Sequence, residues 1–334
     1  MSYLYVTEQG AVIGIEQNRI TVTYSENAKK SIPIETLESI AILSKAQMTT
    51  AAVIECLKRG IPVSYYSAGG SYFGRLHSTD FVNVEKQRKQ DHIGDNEEFN
   101  LNLSKKFIDA KINNQIVVLR RYSRSTDVNI QDKIQKMLIL KKRAQRCTFI
   151  EELMGCEGSA ARNYFEALEC IVDPVFAFHG RSRRPPKDSF NSMLSLGYSV
   201  LLNEIYGKIE TKGLNPYFGF MHKDRENHPT LASDLMEEWR AVLVDSLVLS
   251  LANGHEITPE EFIIDEESGG VYLTKKGISI FIKKLEKKMK SEMRYLGYID
   301  YSVSFRRALD LQVNQLWKAI EQKDPEKYQP VYIR

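Results

Sequence analysis

A change of hydrophobic period near residue 80 constrains the fold more than any other feature of this sequence. Up to residue 76 the chain is a series of short segments rich in Val, Ile, Tyr and Thr, at residues 3–7, 11–15, 19–24, 39–43, 62–66 and 72–76. Such residues suit pleated, half-buried strands, and Glu-Gln-Gly and Glu-Gln-Asn punctuate the first three as turns. One helix is predicted among them at residues 49–59, closed by Gly60. Short strands and a single helix bury little alone, so this region is expected to pack against something. Residues 81–100 are polar and charged and read as a linker. From Leu101 onward the apolar spacing is helical. Ala161, Tyr164, Phe165, Leu168 and Val172 form one stripe, and similar patterns run through residues 190–205, 231–251 and 278–295. Residues 262–273 break the pattern as a small hairpin turning at Gly269-Gly270. The expected class is α+β. A small β-sandwich-like domain over residues 1–80 precedes an all-α domain over residues 101–334.

Composition narrows the alternatives. The chain has 334 residues, 43% hydrophobic and 27% charged, which is globular rather than disordered or fibrous. Its longest apolar stretch, residues 241–252, is interrupted by Asp245 and falls short of the roughly 20 residues that span a bilayer. The opening MSYLYVTEQG lacks a signal-peptide layout, and Cys56, Cys147, Cys156 and Cys170 have no CxxC spacing. A cytoplasmic protein without a membrane partner is expected.

A net charge of +3 says little, but its distribution says more. Residues 105–146 carry twelve Lys/Arg against Asp109, Asp127 and Asp132. Residues 275–294 carry eight basic side chains against two Glu. Such stripes, with Arg181, Arg183 and Arg184 before Pro185-Pro186, are the footprint of a phosphate-backbone binder. The alternative is a set of solvated helix faces. Lys141, Lys142, Arg143, Lys283 and Lys287 are the residues of these stripes expected to meet DNA, together with the three arginines.

Three acids stand at helical spacing in Asp234-Leu-Met-Glu237-Glu238, opposite Leu235, Trp239, Val242 and Leu243. Clustered carboxylates repel one another unless a cation lies between them, and hard oxygen ligands select Mg²⁺ or Mn²⁺. The alternative is an acidic, solvent-facing surface. His222, at the end of a turn-rich segment, could add an imidazole ligand, with His228 as competitor. Glu157 precedes Gly158-Ser159, read as the opening of a helix, where a carboxylate could cap the helix or hold a metal.

Four motifs then appear in order: Glu157-Gly-Ser-Ala-Ala-Arg-Asn-Tyr-Phe165, Gly180-Arg-Ser-Arg-Arg-Pro-Pro186 with Asp188 and Asn191, Leu214-Asn-Pro-Tyr-Phe-Gly-Phe-Met-His222, and Asp234-Leu-Met-Glu-Glu-Trp-Arg240. Together they resemble the CRISPR-associated protein 1 family, the endonuclease/integrase of spacer acquisition, over essentially the whole chain. Trp239 stands where Phe is usual, and Ser189 where Pro is usual. The resemblance implies a homodimer built through the β domain and a catalytic helical domain. It implies metal ligands at Glu157, His222 and Glu237, with Asp234 as an additional acidic catalytic residue. It also implies insertion of foreign DNA fragments into a CRISPR array with CRISPR-associated protein 2, by attack of a fragment's 3′-hydroxyl on a phosphodiester. The DNA would be double-stranded, branched or carry single-stranded ends. Rival readings are a stand-alone structure-selective nuclease and a non-catalytic DNA-binding scaffold.

Overall fold

The structure, a computed structural model, describes residues 2–25, 28–67, 69–124 and 128–334; Asp127, counted above, lies outside them. Among the described residues the N-terminal region contains β1 (Ser2–Val6), β2 (Val12–Glu16), β3 (Arg19–Ser25), β4 (Ala28–Pro33), β5 (Leu37–Ile42), β6 (Gln47–Met48), helix α1 (Thr50–Lys58), β7 (Val63–Tyr66) and β8 (Tyr72–Leu76). They form two four-stranded sheets, ordered β1-β5-β7-β8 and β4-β3-β2-β6. β1, β5 and β7 run parallel, and β8 returns antiparallel. β2, β3 and β4 are an antiparallel meander. Gln17 and Asn18 both take positive φ (45° and 61°), as a two-residue hairpin turn between twisted strands requires. Alternate residues of both sheets, including Val6, Ile13, Ile20, Val22, Ile40 and Val63, meet in one core that also takes Ala52 and Cys56 of α1.

Two expectations are corrected here. β4 is a strand the hydrophobic pattern does not announce. Its Ala-Lys-Lys-Ser stretch is exposed on both faces, because it is a sheet edge blunted by lysines. The segment read as a polar linker is helical: α2 (Val84–Gly94) is followed by α3 (Glu97–Ser123), capped by Asn83 and Asn96. α2 shows little apolar stripe because it docks through a polar side chain. Gln90 is fully buried, donates to the carbonyls of Asn215 and Phe218, and accepts from the Asn215 N–H.

The remaining helices are α4 (Gln131–Ala144), α5 (Ile150–Ile171), α6 (Ser189–Thr211), α7 (Thr230–Met236), α8 (Ser246–Asn253), α9 (Lys275–Lys290) and α10 (Phe305–Gln322). The hairpin forms as β9 (Phe262–Ile264) against β10 (Val271–Leu273), with Gly269 at positive φ. A two-residue pair, β11 (Glu292–Met293) with β12 (Val303–Ser304), ends the helix predicted to reach residue 295 at Lys290. Between α7 and α8, residues Arg240–Asp245 form a π-helical turn. The strands pack on the helices through Lys208–Glu38 (3.4 Å), Arg75–Glu210 (3.4 Å) and the Arg306 guanidinium, 3.6 Å from the Tyr3 ring centre.

Candidate active site

The run from Thr230 to Ser250 is the buried heart of the helical part; only Arg240 and Ser250 escape full burial. That overturns the acidic solvent face as an account of Asp234, Glu237 and Glu238, which are 0%, 5% and 0% exposed. Buried carboxylates need partners, and each of the three finds a different one.

Asp234 receives the segment that carries His222. Its Oδ2 accepts the backbone N–H groups of Phe220 (2.8 Å) and Met221 (2.9 Å), and its Oδ1 lies 2.6 Å from His222 Nδ1. Gly219 allows this close approach, since a Cβ there would sit 2.3 Å from Thr230 Cγ2 and 3.0 Å from Asp234 Oδ2. Gln90 of α2 pins the start of the same segment, so the supposed linker helps to position the histidine. Burial pulls the imidazole toward its neutral form, but the hydrogen bond and charge of Asp234 win, raising its pKa above the ordinary value. His228 instead pairs its Nε2 with Ser233 Oγ at 3.0 Å, and burial lowers its pKa.

Glu237 faces two cations. Arg240 Nε donates to its Oε1 at 3.0 Å, and Lys111 Nζ lies 2.6 Å from its Oε2. Burial alone would raise the carboxyl, yet Arg240 and Lys111 hold it at about 2. Among the described residues, Oε2 has no partner besides the Lys111 ammonium. Lys111 also ion-pairs with Glu157. Burial opposes the lysine's charge, but Glu237 and Glu157 raise its pKa. Glu157 lies within α5, well past its first turn, so it is neither a cap nor the residue that opens the helix.

Glu238 diverges from the cluster. Its carboxylate accepts Tyr328 Oη at 2.6 Å and the Val331 N–H at 2.8 Å, and burial pushes its carboxyl up to about 8. Sequence spacing placed it with Asp234 and Glu237; the chain's C-terminal segment takes it instead.

Thus α5, α7, the turn that follows it and the 214–222 segment bring Glu157, Asp234, Glu237 and His222 together. Lys111 and Arg240 complete the group and were not singled out from sequence, although Arg240 closes the fourth motif. Lys111 was hidden in a basic stripe. Its signal is its neighbourhood, because it shares the buried face of α3 with Phe107, Ile108 and Ile112. A lysine on an apolar helix face has to meet a buried anion.

The basic residues separate into two groups. Arg181 is taken up by Asn191 Oδ1 (2.8 Å) and Ser195 Oγ (3.1 Å), and Lys141 pairs with Asp109 (3.3 Å). Arg143 stays exposed beside Glu152 at 3.9 Å. Lys142, Arg183, Arg184, Lys283 and Lys287 are exposed. The stripes are smaller than the sequence suggests, because Lys106, Lys133, Lys276 and Lys284 also meet acids.

Do these residues suit a divalent ion? Among the described residues, no three His, Cys, Asp or Glu side chains converge to hold one. The donor set nevertheless fits. Two carboxylates from different elements already meet on one cation, the Lys111 ammonium, and the buried Glu237 Oε2 has no other partner among the described residues. His222 spends Nδ1 on Asp234, the usual way a carboxylate orients an imidazole for coordination through its other nitrogen.

Fold and site together define an α+β protein whose helical part gathers carboxylates, a histidine and an arginine from the first, third and fourth motifs around a lysine of α3. The sequence profile of the family described as CRISPR associated protein Cas1 matches residues 4–287, and the chain belongs to that family. A relative named CRISPR-associated endonuclease Cas1, from Mycobacterium tuberculosis strain CDC 1551 / Oshkosh, is 36% identical over 327 residues, covering 98% of this chain and 96% of its own. Two solved structures share the fold over all of this chain. One is a chain of a Cas6-RT-Cas1–Cas2 complex (TM-score 0.86, 24% identity), of which this chain spans 36%. The other is a casposase bound to integration product (TM-score 0.84, 23% identity), of which it spans 96%. No described helix is long and apolar enough to cross a membrane.

Proposed function

We propose that this protein is a metal-dependent DNA endonuclease/integrase that inserts foreign DNA fragments as new spacers into a CRISPR array. The observation that carries the reading is the meeting of Glu157 and Glu237, from separate elements, on one buried cationic position beside an Asp234-oriented His222. Glu157, Glu237 and His222 would hold Mg²⁺ or Mn²⁺. Such an ion supplies polarisation of a target phosphodiester and stabilisation of the charge that develops on its oxygens. Asp234 fixes the imidazole, and Arg240 holds Glu237 in its ionised, oxygen-donor form. A fragment's 3′-hydroxyl attacks, one P–O bond forming as another breaks, so neither a side-chain nucleophile nor a nucleotide fuel is required. With water in its place the same site hydrolyses.

The exposed Lys142, Arg143, Arg183, Arg184, Lys283 and Lys287 would hold DNA phosphates, whether the DNA is duplex, branched or single-stranded at its ends. We assign residues 1–80 to homodimerisation and 101–334 to catalysis, with α2 between them holding the segment that carries His222. An exposed edge supports the first assignment: β8 ends its sheet and leaves Tyr72 and Phe73 38% and 73% exposed. CRISPR-associated protein 2 is the proposed partner, in keeping with the Cas1–Cas2 assembly that shares this fold, and the cytoplasm the proposed location.

Glu157→Gln and His222→Ala should each lower metal-dependent cleavage of branched DNA on the order of 10²-fold or more, with circular dichroism and DNA binding unchanged. His228→Ala should keep most activity. An inactive His228→Ala with an active His222→Ala, or cleavage indifferent to chelation of divalent ions, would overturn the assignment.

A further inference from the structure

Resting on the metal-dependent reading, we propose that Lys111 is a resident counter-cation that holds the Glu157–Glu237 pair in place without metal and has to leave when the divalent ion enters. Its side chain is 9% exposed and rises from the middle of α3, among that helix's buried residues, so it reaches the site from the protein's interior. It contacts one carboxylate oxygen on α5 and another in the turn after α7. No other cation bridges the two: Arg240 reaches Glu237 alone among the described residues. Without Lys111, half-buried Glu157 and buried Glu237 would face each other with a single arginine between three acids, counting Asp234.

The ammonium and a divalent ion cannot share this position. Mg²⁺ held by Glu157 and Glu237 would need the carboxylate oxygens that Nζ now contacts, and its charge would repel the ammonium. A lysine can yield the place, since its charge is a point at the end of a flexible four-carbon stem. Lys111 is therefore a positioning residue. It offsets the repulsion between the two carboxylates in the metal-free protein and sets a threshold for metal entry.

The test is calorimetric titration of Mn²⁺ into the full-length, DNA-free protein, with melting temperature as a second readout. Lys111→Gln should bind Mn²⁺ about tenfold more tightly than the wild type, while its metal-free melting temperature falls and its gain on adding Mn²⁺ grows. A merely structural lysine would do the reverse, because a disordered site binds the ion less well. An equal or weaker affinity in Lys111→Gln, with the wild type binding normally, overturns the role of Lys111 alone. A wild type that binds no Mn²⁺ overturns both this role and the metal-dependent reading. Should Lys111→Gln fail to fold, the wild type itself decides. An exchange-protected ¹⁵N-lysine ammonium signal, assigned by its loss in Lys111→Arg, should vanish on adding Mg²⁺. Its persistence unshifted under Mg²⁺ saturation would overturn the proposal.

Discussion

Arg240 belongs to two systems at once. Its Nε donates to Glu237, and its guanidinium lies 4.8 Å from the centre of the Tyr198 ring, which Arg181 approaches at 5.4 Å. Tyr198 in turn donates to Asp245 Oδ1, and Tyr164 donates to Oδ2 at 2.7 Å. A chain of polar contacts therefore runs from the candidate site to a fully buried aspartate, and it engages Arg181 of the second motif. Burial raises the Asp245 carboxyl to about 6, although the two tyrosines and both arginines work against it. The folded protein thus binds this proton more tightly than the unfolded chain. The stabilisation is complete below the unfolded value of 3.8 and is lost as pH rises through about 6. Asp245→Asn removes that titration. Denaturation curves should show the wild type losing about 2 kcal/mol relative to the variant between pH ~4 and ~6. Parallel pH profiles for the two proteins would show that Asp245 stays ionised throughout.

Between elements, the C-terminal segment acts as a strap over the helix that carries Lys111. Asn114, one turn along α3, donates to the carbonyls of Glu238 and Val331 (2.9 Å each) and accepts the Ile333 N–H at 3.0 Å. Asn114→Ala leaves those buried groups unpaired and should cost about 1–3 kcal/mol. It should also expose residues 328–334 to carboxypeptidase; an unchanged digestion rate would mean that Tyr328 and Val331 hold the strap by packing alone. Such long-range polar contacts are what the sequence hides. Strands with alternating Val and Ile, and helices with apolar stripes such as that of α5, were legible because periodicity reports one buried face. β4 was not, since its Ala-Lys-Lys-Ser stretch is exposed on both faces, and α2 was not, since it docks through Gln90. The site was half legible. Motif order marked Glu157, His222, Asp234 and Glu237, whereas burial reversed the reading of the acids as a solvent face. Lys111 was counted as surface charge because spacing alone does not distinguish a lysine aimed at water from one aimed at a carboxylate.

At the scale of the whole molecule, charge and assembly decide how DNA is held. On α9, Lys283 and Lys287 are exposed, whereas Lys288 is half-buried against Ser246, and desolvation lowers its pKa to about 8. Reversing the exposed pair, Lys283→Glu with Lys287→Glu, should weaken duplex binding and flatten its log–log salt dependence by ~0.9 for each phosphate no longer neutralised. Filter binding across a salt series reads the slope, and an unchanged slope would make this face merely solvated. The central claim concerns the nucleophile. Binding rests on phosphates, while joining needs one hydroxyl, so the two can be separated chemically. The direct measurement incubates the protein with CRISPR-associated protein 2, Mn²⁺ or Mg²⁺, a repeat-bearing plasmid and a labelled fragment ending in either a 3′-hydroxyl or a 3′-deoxy nucleotide. Label should appear in the plasmid only with the hydroxyl, both fragments binding equally. Equal plasmid nicking by both, with no label transferred, would contradict the integrase account in favour of a nuclease that uses water.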